Sequence, residues 1–372
     1  MRILVLTKRQ YMNKDLIDDL YGRFREIPFA LGEKGHTVRG LCLSYDRKQA
    51  GYVRDGKVLW KSMNATSAKL PGLLHFIRQA DQQARHMDVI WAGSDSFYGL
   101  IGYLLSRKHR IPLIFDLYDN FEYYLAARLP LLKQIYRWVT KHCDVVTCIS
   151  QPLAGLVRSH GRRGPLFVLE NAVPKNLFRP MEKTVCRAEL GLPPEQCLVG
   201  TAGALEKNRG IPLLFDAFVA LKESHPDLSL VLAGPLNVTL PRDDRIHYLG
   251  VLPYEKVPVF FNALDVAVVC NRDNEFGRYC FPQKAREIMA CNIPVVAAGV
   301  GSLLEIFSER PEWLYHPGDV ASLAEALKRR LGDDRRTGYE RPPTWSDLAE
   351  DLERIMIGLC RQRAVTASNP EM

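Results

Sequence analysis

The chain has 372 residues, 47% of them apolar and 25% charged. That is ordinary for a globular protein, long enough for two domains, and excludes disordered and collagen-like classes. The nine cysteines are scattered without metal-ligand spacing, which excludes a disulfide scaffold and points to a reducing compartment. No apolar run is long and unbroken enough to cross a bilayer: Val257 to Val269 is interrupted by Pro258, Asn262 and Asp265. The formal net charge of +8 is one-sided. Residues 1–180 hold 28 Lys and Arg against 15 Asp and Glu, and the remainder holds 22 against 27. A basic half suggests an anionic partner there, a membrane face or a phosphate-bearing acceptor.

In chain order, Arg2 to Thr7 is a compact apolar run that predicts a buried parallel strand, too short for a signal peptide. A loop and a helix follow from Gly22 to Glu33, and Gly35-His36 leads into a second strand, Thr37 to Leu43. His36 sits at the far end of that helix and reads as structural. Further strands are expected at Asp88 to Ala92, Pro112 to Asp116 and Val145 to Ile149, with helices between them. Leu129 to His142 places Leu, Ile, Tyr, Trp and Val opposite Lys133, Arg137, Lys141 and His142 at helical spacing. Such a helix packs on its own core or lies on an anionic membrane. After a helix and a basic loop over 151–165, Leu166 to Leu169 closes the first block.

The second block repeats the alternation. Strands are expected at Cys197–Ala202, Leu228–Ala233, His247–Gly250, Asp265–Cys270 and Val295–Ala298. The helices are Ile211–Ser224, Pro253–Ala263, Lys284–Ala290 and Val320–Leu331. Two blocks of alternating strands and helices predict an α/β architecture of two doubly wound sheets. The expected division is 1–180, 181–340, a terminal helix over 341–362 crossing back to the first domain, and a disordered tail over 363–372.

The chemistry concentrates in the second block. Phe281 to Glu305 reads helix, tight turn at Asn292-Ile293-Pro294, buried strand and Gly-containing loop. Glu287 can accept hydrogen bonds from a ribose diol while the helix start binds a diphosphate. Gly203 to Gly210 follows a strand directly and opens a helix, with Lys207 and Arg209 as cations beside it. There is no Walker A loop and no acidic pair placed for a metal.

Phe281–Glu305 resembles the donor-binding signature of the retaining GT-B glycosyltransferases of family 4, E-G-F-G-L-P-x-x-E-A-M-A-C-G-x-P-V-V-A. Glu287, Met289, Ala290, Cys291, Pro294, Val295, Val296 and Ala297 match it, and Gly301 and Glu305 match the G-x-x-E that follows. Tyr279 stands where the family has its first glutamate. Instead the chain carries Pro282-x-Lys284-x-x-Glu287, similar to a subset of bacterial enzymes of surface-polysaccharide synthesis. Glu275 or Asn274 is a candidate for the missing donor-sugar contact. Gly203 to Gly210 is similar to the family's G-R-L-x-x-x-K-G, with Arg209 at the lysine position and Ala204 at the arginine position; Lys207 or Lys284 is a candidate for the second cation. Glu170-Asn171-Ala172-Val173 resembles the stretch that ends the family's first domain, with Asn171 retained.

The resemblance implies a GT-B fold, two Rossmann-like domains facing a cleft, and metal-independent retaining transfer of a sugar from a UDP- or GDP-sugar to a saccharide or lipid-linked acceptor. No cofactor is expected, since the nucleotide sugar is a substrate. A cytoplasmic protein, peripheral on the inner face of the plasma membrane, fits that implication. Asp119 is the first choice for the first-domain residue acting over the donor, with Asp116 and Glu122 as rivals. Gly22, Asp95, Ser150 and Asn171 are expected on the acceptor side. A GT-B-fold sugar-nucleotide epimerase is the alternative within enzymes, and a non-catalytic scaffold the alternative outside them. Nucleic acid binding has no recognition motif to support it.

Overall fold

The computed structural model describes every residue except 12–13, 66–69, 94, 126–129, 333–338 and 369–372. The chain divides into two compact units, residues 1–171 with 345–372, and residues 172–344.

The first unit is built on β1 (Arg2–Lys8), a hairpin of β2 (Gln10–Tyr11) and β3 (Lys14–Asp15), then β4 (Thr37–Ser44), β5 (Gly51–Asp55), β6 (Val58–Asn64), β7 (Val89–Gly93), β8 (Leu113–Leu117), β9 (Val145–Cys148) and β10 (Leu166–Val168). The sheet order is β10-β9-β8-β7-β1-β4-β6-β5, with the β2–β3 hairpin apart from it. All pairs in the large sheet are parallel except β5 with β6. Ile3 to Leu6 are completely buried, as a parallel strand covered by helices on both faces must be. β1 pairs with β4 from Arg2↔Thr37 to Lys8↔Leu43 and with β7 from Ile3↔Val89 to Leu6↔Ala92, so the winding reverses beside β1.

The second unit carries β11 (Cys197–Ala202), β12 (Leu228–Ala233), β13 (Ile246–Tyr248), β14 (Val266–Val269), β15 (Val295–Ala298) and β16 (Leu314–Tyr315). They form one parallel sheet, β13-β12-β11-β14-β15-β16. Here the winding reverses between β11 and β14. In such open sheets the crevice at the carboxyl ends of the strands beside that reversal is where ligands sit.

Three expectations change. The first unit ends at Asn171 rather than 180, because the chain is already tied into the second unit beyond it. Val173 N–H donates to Pro343 O at 3.2 Å, and Val173 and Phe178 belong to the second core. The tail expected to be disordered over 363–372 instead continues the helix Trp345–Ser368, where Arg363 pairs with Asp144 at 3.2 Å; its last four residues lie outside the described ones. Strands β5 and β6 and the helix Leu70–Ala84 occupy a stretch in which the sequence pattern predicts no element. The terminal helix lies on the helix Arg23–Glu33 of the first unit. Lys34 Nζ meets Glu350 at 3.3 Å and Glu353 at 3.2 Å, and His36 Nε2 meets Glu353 at 2.7 Å. That contact gives His36 its structural role.

Candidate functional site

In the second unit the carboxyl ends of β11 and β14 meet the helix Gln283–Ala290, whose N-cap is Pro282. Lys284, in its first turn, reaches back over the sheet. Its Nζ lies 3.3 Å from Thr201 Oγ1, on β11, and 3.5 Å from where a Cβ on Gly203 would stand. Gly203 has φ +114°, a backbone conformation that other residues rarely adopt. Burial is the main cause that lowers the Lys284 ammonium to about 8, reinforced by Arg209 and opposed by Cys270 and Glu287.

Glu287, one turn further along, is buried. Its Oε1 accepts a hydrogen bond from Tyr254 Oη at 3.3 Å. Burial raises its carboxyl to about 7 against the opposing pull of Tyr254, Lys284 and Gln283. Gln283 Nε2 donates to Ala172 O at 2.6 Å, while its Oε1 is buried with no hydrogen-bond partner. Arg209 ends the short 3-10 turn Lys207–Arg209 that follows Gly203. Its guanidinium lies over the Phe276 ring, 4.3 Å from the centroid, and its Nε is buried without a hydrogen-bond partner. Lys207 is exposed, and so is Glu275, in the first turn of the helix Glu275–Tyr279 capped by Asn274. Gly301 has φ +58°, and a Cβ there would stand 2.5 Å from Gly277 O, so only glycine lets these two loops touch.

Two cations and a buried carboxyl group thus collect beside glycine-lined backbone at a sheet reversal. The helix start adds its positive dipole end, and the set suits a diphosphate next to a diol.

The first-unit candidates are placed differently. Asp116 ends β8 completely buried, with Arg23 Nε and Nη2 each at 3.1 Å and Thr147 Oγ1 donating at 2.5 Å. Arg23 also donates to Leu169 O at 3.0 Å and to Asn171 Oδ1 at 3.5 Å. Asp116 and Asn171 are therefore ties between strand ends, not free acceptor-side groups. Glu122 is held by Arg137 at 2.7 Å, Lys133 at 3.3 Å and His160 at 3.3 Å. Burial alone would raise its carboxyl, but Arg137, His160 and Lys133 together outweigh it and hold it below the usual range. Ser150 and Asp95 are helix N-caps, accepting from Leu153 N at 3.2 Å and Phe97 N at 3.0 Å. Gly22, at φ +92°, precedes the helix Arg23–Glu33. Asp119 is half-buried, its carboxylate oriented by Asn120 N–H at 2.8 Å and Tyr124 Oη at 3.0 Å.

The helix expected from Leu129 runs Pro130–His142, Leu129 itself lying outside the described residues. Its core face carries buried Tyr136 and Val139, and Leu131 and Trp138 are exposed on the other. Trp138 packs edge-on against Tyr103 at 4.6 Å. Among the described residues no helix is long and apolar enough to cross a membrane.

Residues 196–333 match the family model of the glycosyl transferases group 1, and residues 25–177 match that of glycosyltransferase family 4. The two matches cover both blocks. The chain belongs to the group 1 glycosyltransferases. Curated relatives include the 2-deoxystreptamine glucosyltransferase of Streptomyces kanamyceticus, 26% identical over 55% of this chain and 55% of that one. Another is the lipopolysaccharide core biosynthesis mannosyltransferase LpsB of Rhizobium meliloti, 27% identical over 45% of this chain and 51% of that one. The chain spans about half the length of these relatives. Among solved structures, Anabaena HepE in complex with UDP-glucose superposes with a TM-score of 0.68 at 19% identity, covering 99% of each chain. That likeness shows the GT-B fold.

Within this glycosyltransferase, sequence reading missed Thr201, Gln283 and Tyr254 around the second-unit site, and Arg23 in the first. Tyr254 and Thr201 carry no signal in spacing, since they reach the site from other loops and strands. Arg23 did carry one. A cation in the first turn of a helix opposes the helix dipole, which marks it as held by a partner from elsewhere.

Proposed function

We propose that this glycosyltransferase moves a sugar from a UDP- or GDP-sugar to a saccharide or lipid-linked acceptor, with retention and without a metal ion, in the synthesis of a cell-surface polysaccharide. The observation that carries the reading is Lys284 over Gly203, with Arg209 and buried Glu287 at the same strand ends. Lys284, Arg209 and the start of the helix Gln283–Ala290 hold the diphosphate and stabilise the charge that develops on it as it leaves. Such neutralisation by side chains and backbone serves in place of a divalent cation. Glu287 accepts hydrogen bonds from the ribose hydroxyls, and exposed Lys207 and Glu275 border the donor. Asp119 is the first-unit group that acts on the transferring sugar, its carboxylate already oriented by Asn120 and Tyr124.

The name of a relative in lipopolysaccharide core biosynthesis, and that of a same-fold protein in complex with UDP-glucose, support the envelope role and the donor class. A peripheral position on an anionic membrane belongs to the same reading, supported by exposed Leu131 and Trp138 in the basic half of the chain.

A thermal-shift and calorimetric screen with UDP, GDP, ADP and their sugar conjugates, with EDTA or with Mg²⁺, tests it. Stabilisation by one nucleotide family that EDTA leaves unchanged is expected, about 2.7 kcal/mol at a hundredfold excess over Kd. No binding by any of them removes the donor site. With the donor known, Asp119→Asn is expected to keep its affinity and lose turnover by about 100-fold or more; unchanged turnover takes Asp119 out of the mechanism. The anomeric configuration of the product, read by NMR, decides retention.

A further inference from the structure

The β2–β3 hairpin borders a cavity of about 500 Å³ in the first unit, a volume suited to a small-molecule ligand. It opens where the chain leaves β1 and β4, at the carboxyl ends of the strands. Its floor is rigid. Arg9, 2% exposed, donates its Nε to both oxygens of Asp15 at 2.9 Å, its Nη2 to Asp18 at 2.6 Å, and its Nη1 to Ser62 Oγ and Gln49 O at 2.9 Å. Gln10 Nε2 bridges Asp15 Oδ2 at 3.0 Å and Ser44 Oγ at 3.1 Å, and its Oε1 accepts Tyr45 N–H at 3.2 Å. Nothing in that floor calls for a further charge. One wall is Tyr11, fixed edge-on to Tyr118 at 4.8 Å, and Tyr118 directly precedes Asp119.

The rim sets the ligand chemistry. Asp19 and Asp46 present carboxylates; Asp19 uses Oδ2 to accept Asp15 N–H at 2.7 Å. Lys48 is neutralised by Asp18 at 3.0 Å, so Lys14 is the rim cation without an ion pair among the described residues. In a half of the chain that is strongly basic, this cavity is acid-rimmed. Carboxylates accept paired hydroxyls well and repel phosphates and other carboxylates, and a fixed tyrosine ring offers a flat apolar wall. We infer that the cavity binds a non-anionic, hydroxyl-rich sugar ring, the end of the acceptor saccharide. The inference rests on the proposed glycosyl transfer and adds that the acceptor's terminal ring carries no phosphate or carboxylate.

The test is saturation-transfer NMR on the full chain with methyl α-D-glucopyranoside, methyl α-D-mannopyranoside, methyl α-D-galactopyranoside, D-glucosamine and glucose 6-phosphate, with UDP and GDP calorimetry run in parallel. At least one of the first four is expected to bind at millimolar concentration, and glucose 6-phosphate is not. Asp46→Ala, on the exposed rim, and Tyr11→Leu are expected to weaken that sugar at least tenfold and leave nucleotide binding unchanged. Asp46→Lys is expected to admit glucose 6-phosphate. Binding by none of the sugars, equal binding of the phosphate ester, or indifference to Asp46→Ala and Tyr11→Leu each overturns the inference. Because the nucleotide is measured separately, that failure is distinct from failure of the donor site.

Discussion

The two sheets bring charged groups to the same place, the carboxyl ends of their strands, and treat them in opposite ways. In the first unit Asp116 is enclosed by Arg23 and Thr147, and Glu122 by Arg137, Lys133 and His160. In the second, Lys284 has a 3.3 Å contact with a threonine hydroxyl, and Glu287 is buried beside a tyrosine at 3.3 Å. Burying a charge is costly: burial raises the Asp116 carboxyl in the first unit too, but there Arg23 opposes it at 3.1 Å, whereas Lys284 and Glu287 have no ion pair among the described residues. A carboxylate met by a close guanidinium ties elements of the fold together, whereas an ammonium and a carboxyl without ion pairs stand ready for a ligand.

The sharpest way to break that contrast is Arg23→Met. It leaves Asp116 buried without its cation and is expected to cost about 3–5 kcal/mol of stability by chemical denaturation. Nucleotide affinity of the folded fraction is expected to stay the same; a matching loss of affinity would erase the distinction between the two units.

Next in size is Glu287→Gln. The Glu287 carboxyl titrates near 7 when folded and near 4.5 when unfolded. Between those values the folded state binds the extra proton, so its contribution is fully present below pH 4.5 and lost as pH rises through 7. The loss is about 3 kcal/mol at most. The glutamine variant is expected to flatten melting temperature against pH from 5 to 7, while losing ribose-dependent affinity. An unchanged slope would show that Glu287 is not the group responsible.

Lys284→Met is expected to weaken nucleoside diphosphates by about tenfold to a hundredfold and monophosphates far less. A bound diphosphate favours the charged ammonium, so at pH 8.5 binding takes up a proton that the free protein lacks, and affinity falls as pH rises past 8. Calorimetry in buffers of different ionisation enthalpy at pH 8.5 reads that uptake directly; it should vanish in the methionine variant. The apo protein runs the other way: the depressed Lys284 contributes stability present above pH 10.5 and lost as pH falls through 8.

The smallest effect is expected at the surface. Leu131→Ser with Trp138→Ser should reduce sedimentation with phosphatidylglycerol vesicles without changing nucleotide affinity. Equal sedimentation would leave this face of the helix Pro130–His142 as ordinary surface.

The sequence by itself determined the alternation of strands and helices, because a strand buried on both faces must be a run such as Ile3–Leu6 or Val295–Ala298. It also singled out Glu287, Lys284, Gly203 and Arg209, which lie within two short stretches whose spacing can be read locally. The edge strand β5 and its neighbour β6 escaped it: β5 is largely exposed and has no apolar pattern to read. Tertiary structure alone decided which cation lies over Gly203, since that depends on how the helix Gln283–Ala290 packs against β11, two parts of the chain separated by 83 residues. It alone showed Asp116 and Glu122, rivals to Asp119 in the sequence, as ties, by bringing Arg23 and Arg137 against them from other helices. The acid-rimmed cavity beside Tyr11 is of the same kind, assembled from the β2–β3 hairpin and the loop after β4. Hydrophobic pattern is written along the chain, but the balance of charge at a site is set by neighbours that only folding supplies.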